Sequence, residues 1–187
     1  LGASFERVLS EINEKFGNRA VPLQLPVGIE SEFQSIVDLV TMDLLTFEGD
    51  GGDEVVRQEI PAAVQDEARR KRQSMVELLA DHSDQIAMLY LSDEPISAEL
   101  LQQEIRRLTL SNAIVPVFCG SARRNIGVQP IIDAVIAYLP SPRDAGEVTG
   151  KSPKSGADVA FKPEPSEPFS GLVFKVRANP SADLYFL

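Results

Sequence analysis

The chain has 187 residues, 43% of them hydrophobic and 25% charged, with 28 acidic against 18 basic side chains and a formal net charge of −10. This is the composition of an ordinary globular protein of one or two domains, and its acidic balance excludes broad electrostatic adhesion to nucleic acid or to an anionic membrane. The lone cysteine, Cys119, excludes an internal disulfide and fits a reducing compartment, and no apolar run approaches the ~18 residues that span a bilayer. No basic stretch leading into an apolar one marks a signal peptide. The first residue is Leu1 rather than Met and the last residues are the apolar "DLYFL", so the expectation is a piece of a longer protein.

Residues 4–16 predict a helix. Ser4 is placed to cap it, and Phe5, Val8, Leu9, Ile12 and Phe16 form one stripe. "AVPLQLPVG" reads as a short strand, restricted to a sheet edge by Pro22 and Pro26. Three β-like runs follow, "FQSIVDLV", "DLLTF" and "EVVRQEI", the last two joined by "EGDGGDE". The glycines of that loop permit positive φ and predict a hairpin; its carboxylates lack the spacing of a calcium loop.

From Pro61 the pattern turns helical, with Val64, Ala68, Met75 and Leu79 on one face and favourable i,i+4 pairs at Asp66–Arg70 and Glu67–Lys71. The Arg69–Arg72 cluster reads as a solvated helix face or a contact surface, and "DQIAMLYL" continues the helical pattern after a helix break in "ADHSDQ". A further helix, capped by Ser97 with Ile96 and Leu101 at the staple positions, buries Leu101, Ile105 and Leu108. Next, the apolar run Ile114–Cys119 breaks into Gly120-Ser121-Ala122, two arginines and an asparagine. A helix then follows, whose face is marked by Ile131, Val135 and Leu139. Proline and glycine enrich 140–168, a composition that reads as linker. "FSGLVFKVRA" alternates like a half-buried antiparallel strand opening another domain.

Catalytic chemistry is scarce. One histidine, His82, and one cysteine support neither a zinc cluster nor a nucleophilic triad. His82 reads as structural or surface, and Cys119 as a small hydrophobe. There is no G-x-x-x-x-G-K-[ST] loop and no G-x-G-x-x-G fingerprint. No catalytic residue and no metal ligand is assigned. What remains is the turn after the strand, the place where α/β proteins often put ligand sites.

"VPVFCGSARRNIGVQPIIDAVIAYLPSP" resembles the end of the GTP-binding domain of the bacterial elongation factor G family, in which a strand ends in C-G-S-A and a helix closes on Y-L-P-S-P. The matching residues are Cys119 to Ala122, Gly127 to Gln129, Asp133 to Val135 and Tyr138 to Pro142. "LGASFERVLSEINEKFGNRAVPLQLPVG" resembles the segment after the family's N-K-x-D motif, "FQSIVDLVTMDLLTF" the start of its inserted subdomain, and "EPFSGLVFKVRANPSADLYFL" the entry to its second domain. The helical part, 62–111, matches in pattern more than in letters, and the Arg69–Arg72 cluster and the short "FEGDGGDE" loop depart from the family.

The resemblance implies an α/β fold: an α+β insertion on the remnant of a P-loop GTPase-type domain, followed by a truncated β-barrel strand. The implied boundaries are 1–19 (GTPase domain), 20–112 (insertion), 113–142 (last strand, guanine turn and helix of the GTPase domain), 143–168 (linker) and 169–187 (start of the barrel). It implies that Gly120, Ser121 and Ala122 belong to the fifth guanine motif, where a backbone N–H meets the guanine carbonyl oxygen. GTP and Mg2+ would serve the intact protein, a cytoplasmic, ribosome-dependent translocation GTPase. Because the family's other nucleotide motifs are missing from these residues, the chain alone is expected to bind and hydrolyse no GTP. The insertion is similar to a docking platform for the C-terminal domain of the ribosomal stalk protein. Asp66, Glu67, Glu77, Asp81 and Asp84 are the candidates there, named as exposed carboxylates on that helical region. Membrane partners and direct nucleic-acid contacts are not expected. The alternatives are a paralogous release, recycling or ribosome-protection GTPase, or a non-catalytic ribosome-binding module. An unrelated small α/β enzyme would need a catalytic constellation that the sequence does not supply.

Overall fold

The computed structural model describes residues 2–180 and 182–186. Leu1, Ser181 and Leu187, which the readings of the two terminal segments include, lie outside them. The described chain forms two compact units, one ending at Leu139 and the other beginning at Pro140.

The first unit opens with α1 (Phe5–Phe16), whose cap is Ser4: its Oγ accepts the Arg7 N–H at 3.3 Å. The run read as one strand divides at Leu23 into two. β1 (Ala20–Pro22) pairs in parallel with β6 (Val115–Val117), whereas β2 (Gln24–Val27) is the edge of an antiparallel sheet, where Pro26 costs no central hydrogen bond. That sheet has the order β2-β3-β4-β5, with β3 at Ser35–Asp38, β4 at Asp43–Glu48 and β5 at Glu54–Gln58. Gly49, Gly51 and Gly52 turn the β4–β5 hairpin with φ of +85°, +95° and +74°.

Three helices follow: α2 (Ala62–Ala80), α3 (Asp84–Leu91) and α4 (Ala98–Leu110). The helical run breaks around His82, as expected. Ser83, itself buried, caps a new helix through its Oγ and the Ile86 N–H. The strand alternation gives the sheet two packed faces. Val37 and its partner Leu44 join the core made with Ala68, Met75 and Leu79 of α2 and Leu101, Ile105 and Leu108 of α4. Ile36 and its partner Leu45 point the other way, into a second cluster with Cys119 and Ile126, flanked by Phe5, Phe33 and Phe47. Each such side chain contributes about 1.5–3 kcal/mol on burial. A one-residue register slip would exchange the two faces and lose both cores.

The ion pairs expected along α2 are replaced. Asp66 meets Arg69 at 3.8 Å, and Lys71 reaches Glu6 of α1 at 2.5 Å. Nor is the basic cluster a wholly solvated face. Arg72 turns inward and donates to the carbonyls of Leu39 (2.6 Å), Val40 (2.7 Å) and Ile96 (3.1 Å). On α4, Glu104 is buried against Arg107, whose hydrogen bonds hold the carboxyl below the usual carboxylate range.

After β6 comes α5 (Val128–Tyr138). Tyr138 is its buried residue and stacks on Phe118 at 6.5 Å between ring centroids. The expected stripe of Ile131, Val135 and Leu139 is present but uncovered. In the second unit, the segment read as pure linker holds α6 (Pro142–Ala145), with a Ser141–Asp144 capping box, and a hairpin of β7 (Val148–Lys151) and β8 (Asp158–Phe161). Turn chemistry and paired backbone suffice for these elements without a core. β9 (Lys175–Arg177) pairs antiparallel with β10 (Leu184–Phe186). The expected half-burial is absent: Leu172, Phe174 and Val176 are all exposed, and the contact of Phe174 with the Phe186 ring, 6.5 Å between centroids, leaves it so. The molecule is thus mixed α/β with several small sheets, and no described helix is long and apolar enough to cross a membrane.

Candidate functional site: the turn after β6

β6 carries the chain to Cys119, whose backbone N–H donates to the buried Gln24 Oε1 at 3.1 Å. Burial makes this thiol a poor nucleophile by pushing its pKa up to about 12. After Gly120, the six residues Ser121 to Ile126 close on themselves: the Ser121 N–H donates to the Ile126 carbonyl (2.8 Å) and the Ile126 N–H donates back to the Ser121 carbonyl (3.1 Å). A single 3-10 turn, Ala122–Arg124, occupies the tip, and Asn125 ends it in the left-handed conformation at φ +52°. Two glycines make the neck. A Cβ on Gly120 would meet the Ile126 carbonyl oxygen at 2.8 Å; one on Gly127, at φ +79°, would meet the Cys119 carbonyl oxygen at 2.6 Å.

This geometry sorts the candidates. The Ser121 N–H is consumed by the neck, whereas the N–H groups of Gly120 and Ala122 have no partner among the described residues. Ala122 is exposed at the mouth of the turn.

The turn lies against the four-stranded sheet. Asn125 Nδ2 donates to the Gly52 carbonyl at 3.1 Å, Gln129 Nε2 donates to the same oxygen at 3.0 Å, and Arg124 donates to the Ser31 carbonyl at 3.3 Å. Between them is a cleft of ≈520 Å³ lined by Ser35, Thr46, Phe47, Gly52, Arg124 and Ile126. Gln24 and Asn125 were not singled out as site residues by sequence reasoning, and Gln129 entered only as a letter of the family match, since their partners stand 73 to 95 residues away. Among the described residues no group of acidic, histidine and cysteine side chains is arranged to hold a metal.

The five carboxylates on the helices are exposed but do not form one patch. Asp66 and Glu67 lie in the first half of α2. Glu77, Asp81 and Asp84 gather at the α2–α3 junction, where Glu77 Oε1 accepts the Tyr90 hydroxyl and Gln73 Nε2. Beside them Met88 and Leu91 are 71% and 84% exposed, on the side of α3 that Asp84 begins.

No family model matches the chain. Two curated relatives match it along its whole length: Elongation factor G 2 of Geobacter metallireducens at 44% identity and Elongation factor G of Rhodopirellula baltica at 41%. The chain is homologous to one segment of elongation factor G. It spans 27% of the length of each of these elongation factor G relatives. A crystal structure from Thermus thermophilus shares the fold, with a TM-score of 0.64 over 77% of this chain and 21% of that one, at 23% identity. The elongation factor G match runs through the helical region as well as the turn, so it does not rest on the C-G-S-A letters alone.

Proposed function

We propose that this chain is the guanine-reading and docking segment of a ribosome-dependent translational GTPase, in which α1, β1, β6 and α5 are the remnant of the nucleotide-binding domain. Residues between β1 and β6 form its insertion, and β9–β10 begin a β-barrel domain. The carrying observation is the Ala122 N–H: unpartnered, exposed, and fixed at the carboxyl end of a strand by a neck that only glycines allow. A backbone N–H so placed can hydrogen-bond a base carbonyl without reorganising. Phosphate binding and Mg2+ coordination belong to other parts of the longer protein, since these residues carry no phosphate loop. Both relatives' names favour an elongation factor over a release, recycling or ribosome-protection paralogue.

The test is Ala122→Pro in a chain extended to the length of its relatives. Ser121 is extended (φ −132°), as a residue before proline prefers, and the first position of a 3-10 turn suits proline. The change therefore deletes one N–H and leaves the turn in place. Guanine-nucleotide affinity measured by calorimetry should fall about tenfold, the loss of one hydrogen bond of ~1.4 kcal/mol; undiminished affinity overturns the reading.

For the insertion, the α2–α3 junction is the docking surface for the stalk C-terminal domain. Asp81 and Asp84 form an acidic rim, and Met88 and Leu91 are apolar anchors, the mix that protein interfaces use. Titrating the isotope-labelled chain with that domain should shift the amides of 77–91. Shifts confined to 143–168 would sink the assignment.

A further inference from the structure

The Gly52 carbonyl accepts two side-chain amides, one from Asn125 at the end of the turn that presents Ala122 and one from Gln129 in the first turn of α5, which follows it. We propose that Asn125 and Gln129 are positioning residues for base recognition, and that the β4–β5 hairpin, through Gly52, fixes where the Ala122 N–H points. The proposal rests on the guanine reading above and adds to it the part of the insertion that sets the geometry.

Several features of the contact point the same way. A carbonyl oxygen has two lone pairs, and here one is taken by the turn and the other by the helix that leaves it. Gly52 sits at φ +74°, which strains any residue with a side chain, and a Cβ there would stand 3.3 Å from the Asn125 carbonyl oxygen, so glycine suits this close approach of hairpin and turn. The hairpin is closed behind it by the Gly52 N–H donating to the Gly49 carbonyl at 3.3 Å.

The second anchor is apolar. Ile126, in the neck, packs with Ile36 and Leu45 on the sheet face turned away from the helices. The third is the Gln24 amide oxygen under Cys119. The turn is thus held at its start, neck and rim by three parts of the four-stranded sheet, in addition to its own backbone bonds: the Ser121–Ile126 pair and the Arg124 and Asn125 N–H groups donating to the Ser121 and Ala122 carbonyls. A donor aimed at a base carbonyl is effective when its direction is set before the base arrives. With Asn125 and Gln129 shortened, the rim loses its tie to Gly52 and Ala122 explores several directions.

The test uses the chain extended to the length of its relatives and two nucleotides: GTP, and the triphosphate of 2-aminopurine riboside, which lacks the base carbonyl. The variants are the double change Asn125→Ser with Gln129→Ala, the near-isosteric Gln129→Glu, which cannot donate to Gly52, and Ala122→Pro as reference. The double variant should lose about tenfold in its preference for GTP over the carbonyl-free nucleotide, with affinity for the latter unchanged, and Gln129→Glu should lose preference in the same direction. Equal weakening of both nucleotides would mean a merely structural contact and overturns the proposal. So does an unchanged preference in the double variant while Ala122→Pro abolishes it, which leaves the guanine reading standing. If Ala122→Pro also keeps the preference, the guanine reading itself falls.

Discussion

Arg72 shows what a single residue decides. It sits four after Ala68 and three before Met75, on the buried stripe of α2, in a position the periodicity reserves for an apolar side chain. Its guanidinium, pushed down in pKa by burial and opposed by the Asp38 carboxylate, ties the turn after β3 (Leu39, Val40) to the loop before α4 (Ile96). Arginine suits this because one planar fork serves several carbonyls. Arg72→Leu should lower unfolding stability by about 2–4 kcal/mol, since three carbonyls lose a charged donor and burial of Leu repays only part. Arg72→Lys should recover a fraction. Denaturant midpoints at unchanged m-value would measure both, and a loss below ~0.5 kcal/mol in the leucine variant would show that water satisfies these carbonyls. The composition of "ARRKRQ" pointed outward, whereas its register pointed inward, and register won.

At the scale of elements, most of the fold was legible and the exceptions have physical causes. Ser4, Ser97 and the glycines of 49–52 announced their caps and turn, because capping and positive φ are local chemistry. The division of "AVPLQLPV" between two sheets was not legible. Both halves alternate alike, and only β6, some ninety residues on, captures the first. The break at His82 was legible, and Ser83 is a good cap for the helix that follows it. The turn after β6 was found from its glycines and its small residues. Its ties to Gln24 and Gly52 were invisible, since a hydrogen bond from Gln129 to a carbonyl 77 residues earlier leaves no local trace. The linker reading failed for a related reason: composition shows that 140–168 builds no core, not that it lacks a hairpin.

The whole molecule carries faces that nothing among the described residues covers. α1 buries no residue despite its stripe, with Val8 and Phe16 45% and 65% exposed; α5 exposes Ile132, Val135 and Ile136; and Val115 stands open on β6. A parallel pair such as β1–β6 is normally covered on both faces. These open surfaces, together with a span of 27% of the relatives' length, support the reading that the rest of a longer chain packs here. Ile136, 76% exposed, makes that reading measurable. Ile136→Asp in the 187-residue chain replaces one solvated side chain by another and should change its stability by less than ~0.5 kcal/mol. In the extended chain the same change would bury an unpaired carboxylate under the covering elements, a cost of about 2–4 kcal/mol, and melting temperature and protease resistance should both fall. The decisive quantity is the difference between the two lengths of chain. If Ile136→Asp is equally harmless in both, this face of α5 stays in water in the longer protein, and the remnant domain must close along β1 and β6 instead.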